Sequence, residues 1–207
     1  MNLRRVVVTG LGAITPIGNN VSEYWDNLLK GVSGAGLITL FDASKFKTQF
    51  ACEVKGYNPE EFFDHKEARK LDRYVQFAMV VAKEAIENSA IQLDSIDLDR
   101  AGVIFASGIG GIMSYERDIA DFLQNPDMPR FNPFFITRMI ANMAAGHISM
   151  QYSFRGPNFG VVSACASSTH AISLACDQIR LGRADIMITG GAEAPICEPG
   201  LGGFNAM

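Results

Sequence analysis

The chain has 207 residues, 48% of them hydrophobic, and a formal net charge of -4, which provides for one large domain or two small ones with a substantial core. Mild acidity without an extended basic tract argues against a nucleic-acid partner, and no apolar run reaches the ~18 residues of a membrane span. Four cysteines without a CxxC pair and three scattered histidines argue against a disulfide framework or a zinc site and make a reducing cytoplasm the simplest setting.

In chain order, "RRVVVTGLG" predicts a buried strand over 4–9 that ends at a glycine turn, and no signal-peptide layout precedes it. Residues 21–30 predict a helix stopped by Gly31. The stretch to Gly56 is mixed, with a short strand at "FACEV". Val75, Ala78, Met79, Ala82 and Ile86 fall at helical spacing and predict a helix over 72–89. "AGVIFAS" reads as a second buried strand, followed by the glycine-rich "GIGG" and a helix over about 112–124. "NPDMPRFNPFF" is a proline loop, and residues 138–150 are expected to be helical.

The most ordered block follows: a strand over 159–163, a helix from 165 to 181 with Gly182 as its stop, and a strand over 185–189. Ile172, Ala175, Cys176 and Ile179 are its expected apolar stripe. This is a βαβ unit, so the fold class is α/β with parallel strands. The tail "EPGLGGFNAM" shows no closing element.

Chemistry concentrates at "FGVVSACASSTHA", where an apolar run turns into a helical pattern around one cysteine, Cys165. Either Cys165 is a small hydrophobe in a tight corner, or it is a nucleophile at a helix N-terminus. There, unpaired N–H groups and the helix dipole stabilise a thiolate, and the same N–H groups can hold an oxyanion. Cys52 and Cys176 read as packing, and Cys197 is undecided. "GLGAITPIG" invites a dinucleotide reading, but Thr15 stands where the third glycine of GxGxxG belongs, so these glycines read as a tight turn. "SGIGG" lacks the lysine of a P-loop. "HKEARKLDRY" puts Lys66, Arg69, Lys70 and Arg73 at i, i+3, i+4 and i+7. A cationic face at a helix start opposes the dipole, which suits docking of an acidic partner as readily as a solvated surface.

Together, "VSACASSTHA", "RRVVVTGLGAITPIG", "SGIGG", "NPFF", "NMAAGHIS" and "GGAEAPICEPGLGGF" resemble the β-ketoacyl-acyl-carrier-protein synthases, most closely the elongating type II synthase. The resemblance implies a thiolase-like fold of two pseudo-symmetric α/β halves, with residues 1–207 as the N-terminal half. It implies that Cys165 accepts an acyl chain as a thioester and that the chain lies against Ile109, Ile112, Phe134, Phe135, Ala164, Gly200 and Phe204. Phe134 and Phe135 would reach across a homodimer interface. It makes Lys66, Arg69, Lys70 and Arg130 a docking patch for an acidic acyl carrier protein, and it implies no cofactor. Two histidines and a lysine that drive malonyl decarboxylation belong to the second half; His147 and His170 match neither position and read as structural. A type I synthase, a polyketide ketosynthase and a non-catalytic chain-length partner share the fold, and Cys165 argues against the last.

Overall fold

The computed structural model describes residues 3–125, 127 and 130–207. Its elements in chain order are α1 (Val21–Leu29), β1 (Gly36–Leu37), β2 (Phe50–Ala51), α2 (His65–Ala68), α3 (Arg73–Asn88), β3 (Ala101–Ala106), α4 (Ile112–Gln124), α5 (Phe135–Met139), α6 (Met143–Tyr152), β4 (Asn158–Val161), α7 (Ser167–Arg180), β5 (Ile186–Gly191) and α8 (Glu198–Ala206). Strands β1 and β2 form a small antiparallel pair, and β4, β3 and β5 form a parallel sheet in that order. The expected βαβ unit is present, but β4 and β5 are not neighbours. The crossover through α7 passes over β3, which pairs Val103 with Asn158 on one side and with Ile188 on the other.

Every residue of β3 is buried, as a strand covered on both faces must be. Strand alternation divides its side chains between two layers. Ala101, Val103 and Phe105 join the core made with α3 and α6 through Tyr74, Val75, Ala78, Ala144 and Ile148. Ile104 and Ala106 face α7, where they meet Ala171 and Ala175. The buried stripe of α7 is therefore Ser167, Ala171 and Ala175, and Ile172, expected on that stripe, is 53% exposed. Small residues win that face because the helix runs close to the sheet: a Cβ on Gly191 would fall 2.0 Å from Ser168 Oγ.

The helix stops are as expected. Gly31 and Gly182 take φ of 66° and 72°, a region that glycine enters without the Cβ penalty. Helix α3 begins at Arg73 with Asp72 as N-cap. Three further expectations fail. Residues 4–9 join no strand ladder among the described residues, and Val7 and Val8 are 61% and 79% exposed. An apolar run carries a tendency to bury but does not supply a ladder partner. The segment is instead held near its ends: Arg4 pairs with Asp185 at 2.6 Å and donates its backbone N–H to Arg180 O at 3.4 Å, and just beyond it Asn88 Oδ1 accepts from Leu11 N at 3.0 Å.

The helix expected over 138–150 is split at residues 140–142. Ile140 is extended (ψ 137°), Tyr74 Oη donates to Ile140 O at 2.6 Å, and Gly111 N donates to Met139 O at 2.9 Å. Those distant donors hold carbonyls that a continuous helix would use itself. The tail expected to lack a closing element forms α8, begun by Cys197 at the N-cap and Pro199 in the first turn, a favoured place for proline. Among its described residues the proline loop holds no regular structure before Phe135; Pro126, Met128 and Pro129 lie outside the described residues. Among the described residues no helix is long and apolar enough to cross a membrane.

Candidate active site

The corner between β4 and α7 is a sharp turn. Residues Ala164–Ala166 make one 3-10 turn directly before Ser167 starts the helix. Ala164 takes a φ of 50°, left-handed for a residue with a Cβ, at a cost of roughly 1–2 kcal/mol. Such strain persists where the surroundings over-determine it. Here the buried Ser167 does so: its hydroxyl donates to Ala164 O at 2.6 Å and accepts from Ser163 N at 2.8 Å. The turn leaves the Cys165 thiol exposed. Cys165 is therefore not filler for a tight corner, and the fold holds it out at the start of a helix.

The turn lies at the C-terminal end of the parallel sheet, where open α/β sheets bind ligands. Chain leaving β3 and β5 meets it there. The carboxylate of Glu193, two residues past β5, accepts from Ser107 Oγ at 2.9 Å, Gly108 N at 2.7 Å and Ile109 N at 3.2 Å. This fixes the loop that carries Ile109 and brings Gly108 beside Ala164, whose carbonyl would lie 3.7 Å from a Cβ at Gly108. The loop amides are thus satisfied by a protein carboxylate and form no phosphate cradle.

The dinucleotide reading of "GLGAITPIG" fails in the same way, since Glu84 accepts from Ala13 N and Val21 N, both at 2.8 Å. The loop lies flat on α3. A Cβ at Gly10 or Gly12 would fall 2.0 Å from Ala85 O or 1.9 Å from Val81 O. Close approach to α3, rather than a tight turn, is what these two glycines permit.

Of the expected acyl-pocket residues, Ala164 and Ile109 come to the corner, and Ile109 is 44% exposed. Ile112 is the half-buried first residue of α4. Phe134 and Phe135 stand at the start of α5, where Phe135 packs on Phe131 with ring centroids 5.0 Å apart. Gly200 is buried in α8, and Phe204 is exposed on it. Two further concavities do not include Cys165. One of about 470 Å³ is lined by the 12–16 loop, α3 and residues 191–196, and one of about 750 Å³ lies among α3, α4 and α5. Of the expected site residues only Arg69 lines either of them.

The single cationic helical face does not form. Helix α2 ends at Ala68, and Arg73 belongs to α3, its guanidinium over the rings of Tyr57 (5.3 Å) and Phe77 (5.1 Å). Lys66, Arg69, Lys70 and Arg130 are exposed. Lys70 Nζ sits 5.6 Å above the Phe134 ring, a contact the sequence did not suggest. His170 Nδ1 is 2.7 Å from Ser163 Oγ, and burial pushes the His147 imidazole down, which favours its neutral form. Cys52, read as packing, is exposed; Cys176 is half-buried; and Cys197 is buried, a placement that pushes its thiol up. Among the described residues no cluster has the make-up of a metal site.

Sequence reasoning missed Glu193, Ser167 and Asp72. The signal for Glu193 was a lone carboxylate in "GGAEA", directly after a strand that ends beside the cysteine corner.

A strained cysteine corner at the strand ends of a parallel sheet, with helices on both faces, defines an α/β domain of thiolase-like type, the N-terminal half of that fold. The chain belongs to the β-ketoacyl synthase family: residues 3–207 match the family's "Beta-ketoacyl synthase, N-terminal domain". It is 44% identical over 207 residues to the 3-oxoacyl-[acyl-carrier-protein] synthase 2 of Coxiella burnetii, covering 100% of this chain and 50% of that protein. With the enzyme of the same name from Staphylococcus aureus (strain COL) it shares 42% over 203 residues, 98% of this chain and 49% of that one. A structure described as the ishigamide ketosynthase/chain length factor superposes with a TM-score of 0.90 at 29% identity, covering 99% of this chain and 51% of that chain. The chain spans about half the length of the curated relatives it matches.

Proposed function

We propose that this chain is the cysteine-bearing half of an acyltransferase of fatty-acid elongation, a β-ketoacyl-acyl-carrier-protein synthase. The observation that carries the reading is the exposed Cys165 thiol on a strained turn before α7. The thiolate attacks the carbonyl of an acyl-carrier thioester, a new C–S bond forms, and the carrier thiol leaves. The bound malonyl unit then loses carbon dioxide. Its carbanion attacks the acyl-enzyme carbonyl, a C–C bond forms, and the Cys165 thiolate departs. The residues that drive decarboxylation lie in the other half of the complete enzyme, so residues 1–207 alone carry acyl acceptance and not condensation.

In this reading Ile109, Ile112 and Ala164 border the acyl chain nearest the thiol. Phe134 and Phe135 close it from across a homodimer interface, and Gly200 and Phe204 border it farther along. Lys66, Arg69, Lys70 and Arg130 meet the acidic carrier. No metal or redox cofactor takes part, and the enzyme works in the cytoplasm. The 42–44% identity to 3-oxoacyl-[acyl-carrier-protein] synthases 2, against 29% to the ishigamide ketosynthase/chain length factor, supports the elongation reading.

The test is condensation of acyl- and malonyl-carrier substrates by the complete enzyme and its Cys165→Ala variant. The parent should form β-ketoacyl-carrier and the variant should not. A variant that still condensed would remove Cys165 from the mechanism.

A further inference from the structure

We infer, building on that reading, that Asp72 is a positioning residue that couples the carrier-docking segment to the acyl pocket by capping two helices at once. Asp72 is 2% exposed. Its Oδ1 accepts from Tyr74 N at 3.1 Å, as the N-cap of its own helix, and its Oδ2 accepts from Ser114 N at 3.0 Å, in the first turn of α4. Helix α4 has no cap of its own, because its N-cap residue is Gly111. A Cβ at Gly111 would fall 1.9 Å from Arg138 O and 3.1 Å from Asp72 Cγ. The absence of a side chain there makes room for a carboxyl group from another helix, and one side chain accepts from the N-terminal N–H groups of two helices.

What this carboxylate joins gives it a role in specificity. Immediately before it run Lys66, Arg69 and Lys70, the proposed docking cations. Immediately before Ser114 come Ile112 and Ile109, the proposed chain-facing residues. The Lys70–Phe134 contact is a second link between the same two regions. Glu193 holds the far end of the 107–114 stretch, so Asp72 and Glu193 brace it from two sides. Movement of the docking segment is therefore passed to the first turn of α4 and on to the pocket wall.

The experiment uses the complete enzyme and three variants: Asp72→Ser, Asp72→Asn and Cys165→Ala. Serine keeps a good N-cap for α3 but is too short to reach Ser114. Asparagine keeps the size of the side chain and one acceptor, which guards against an Asp72→Ser protein that does not fold. Rates of acyl transfer to the enzyme are measured by intact-protein mass spectrometry for short and long acyl groups, from the carrier and from a small neutral thioester. The expected result is a change of about fivefold or more in the long-to-short rate ratio for Asp72→Ser. Asp72→Asn should show a smaller change, and the carrier KM should rise in both. Rates that fall equally at every length, with only a lower Tm, would reduce Asp72 to a structural cap and overturn the inference. A parent enzyme that takes up no acyl group at Cys165 would instead overturn the function on which the inference rests.

Discussion

Arg138 on α5 and Asp118 on α4 are 3% and 7% exposed and stand 3.6 Å apart. Among the described residues, Arg138 Nε and Asp118 Oδ2 have no hydrogen-bond partner. The pair joins the helix that begins at Phe135 to the helix that begins at Ile112. Across 3.6 Å, two unit charges attract by about 5 kcal/mol at an effective dielectric of about 20. Removing two ions from water costs several kcal/mol each, so the intact pair comes close to breaking even. Removing one partner does not. Arg138→Met removes the cation nearest the buried Asp118 carboxylate, leaves Arg117 as the positive charge still acting on it, and should destabilise the complete enzyme by up to about 3–5 kcal/mol.

Burial already pushes the Asp118 carboxyl up. In the Arg138→Met protein the folded state therefore binds a proton more readily than the unfolded state does. The deficit should shrink as pH falls through the raised pKa and be full at neutral pH. Arg138→Met with Asp118→Leu should return to within about 1 kcal/mol of the parent, because neither charge is then buried. Scanning calorimetry of parent, single and double variants, at neutral and at mildly acidic pH, reads all three quantities. A double variant as unstable as the single one would refute the reasoning and assign the loss to packing.

The remaining predictions concern the proposed site. Cys165 should react with iodoacetamide at neutral pH well before Cys52, which is also exposed, and before the buried Cys197; equal labelling in a peptide map would remove the special status of the turn. Reversal of Lys66, Arg69 and Lys70 to Glu should weaken reaction with the acyl carrier and spare a small neutral thioester. That defect should shrink at high salt, where the Debye length falls to ~3 Å at 1 M, and equal loss with both substrates would make the cations structural. Ile109→Phe should stop elongation early, since Glu193 holds the loop in place and each excluded methylene forfeits about 0.8 kcal/mol. Acyl-enzyme mass spectra across chain lengths would show a length ceiling, whereas uniform loss would place Ile109 in the core.

Local patterns in the chain carried much of the architecture. Gly31 and Gly182 announced their helix ends, β3 announced its two-sided burial through "AGVIFA", and Cys165 stood where an apolar run met a helical one. What stayed hidden depends on partners far away in sequence. Ser114 relies on a carboxylate 42 residues earlier, and the Ile109 loop relies on one 84 residues later. The break at 140–142 comes from Tyr74, 66 residues upstream of the carbonyl it captures. Residues 4–9 misled for the opposite reason, since hydrophobic content was read as pairing. On α7 the larger residue, Ile172, was assigned to the buried stripe, but close packing on the sheet selected Ser167, Ala171 and Ala175. The docking face was drawn as one helix, whereas Asp72 starts a new one and turns Arg73 toward Tyr57 and Phe77.

The central claim is that the strained turn presents Cys165 as the acyl acceptor. Its most direct measurement is peptide mapping of the complete enzyme after incubation with an acyl-carrier thioester and no malonyl substrate. The account predicts a hydroxylamine-labile mass increase equal to one acyl group on the peptide containing Cys165, absent from the Cys165→Ala variant. An acyl group on a different residue, or an unchanged mass at Cys165 in an enzyme that still condenses, would contradict it.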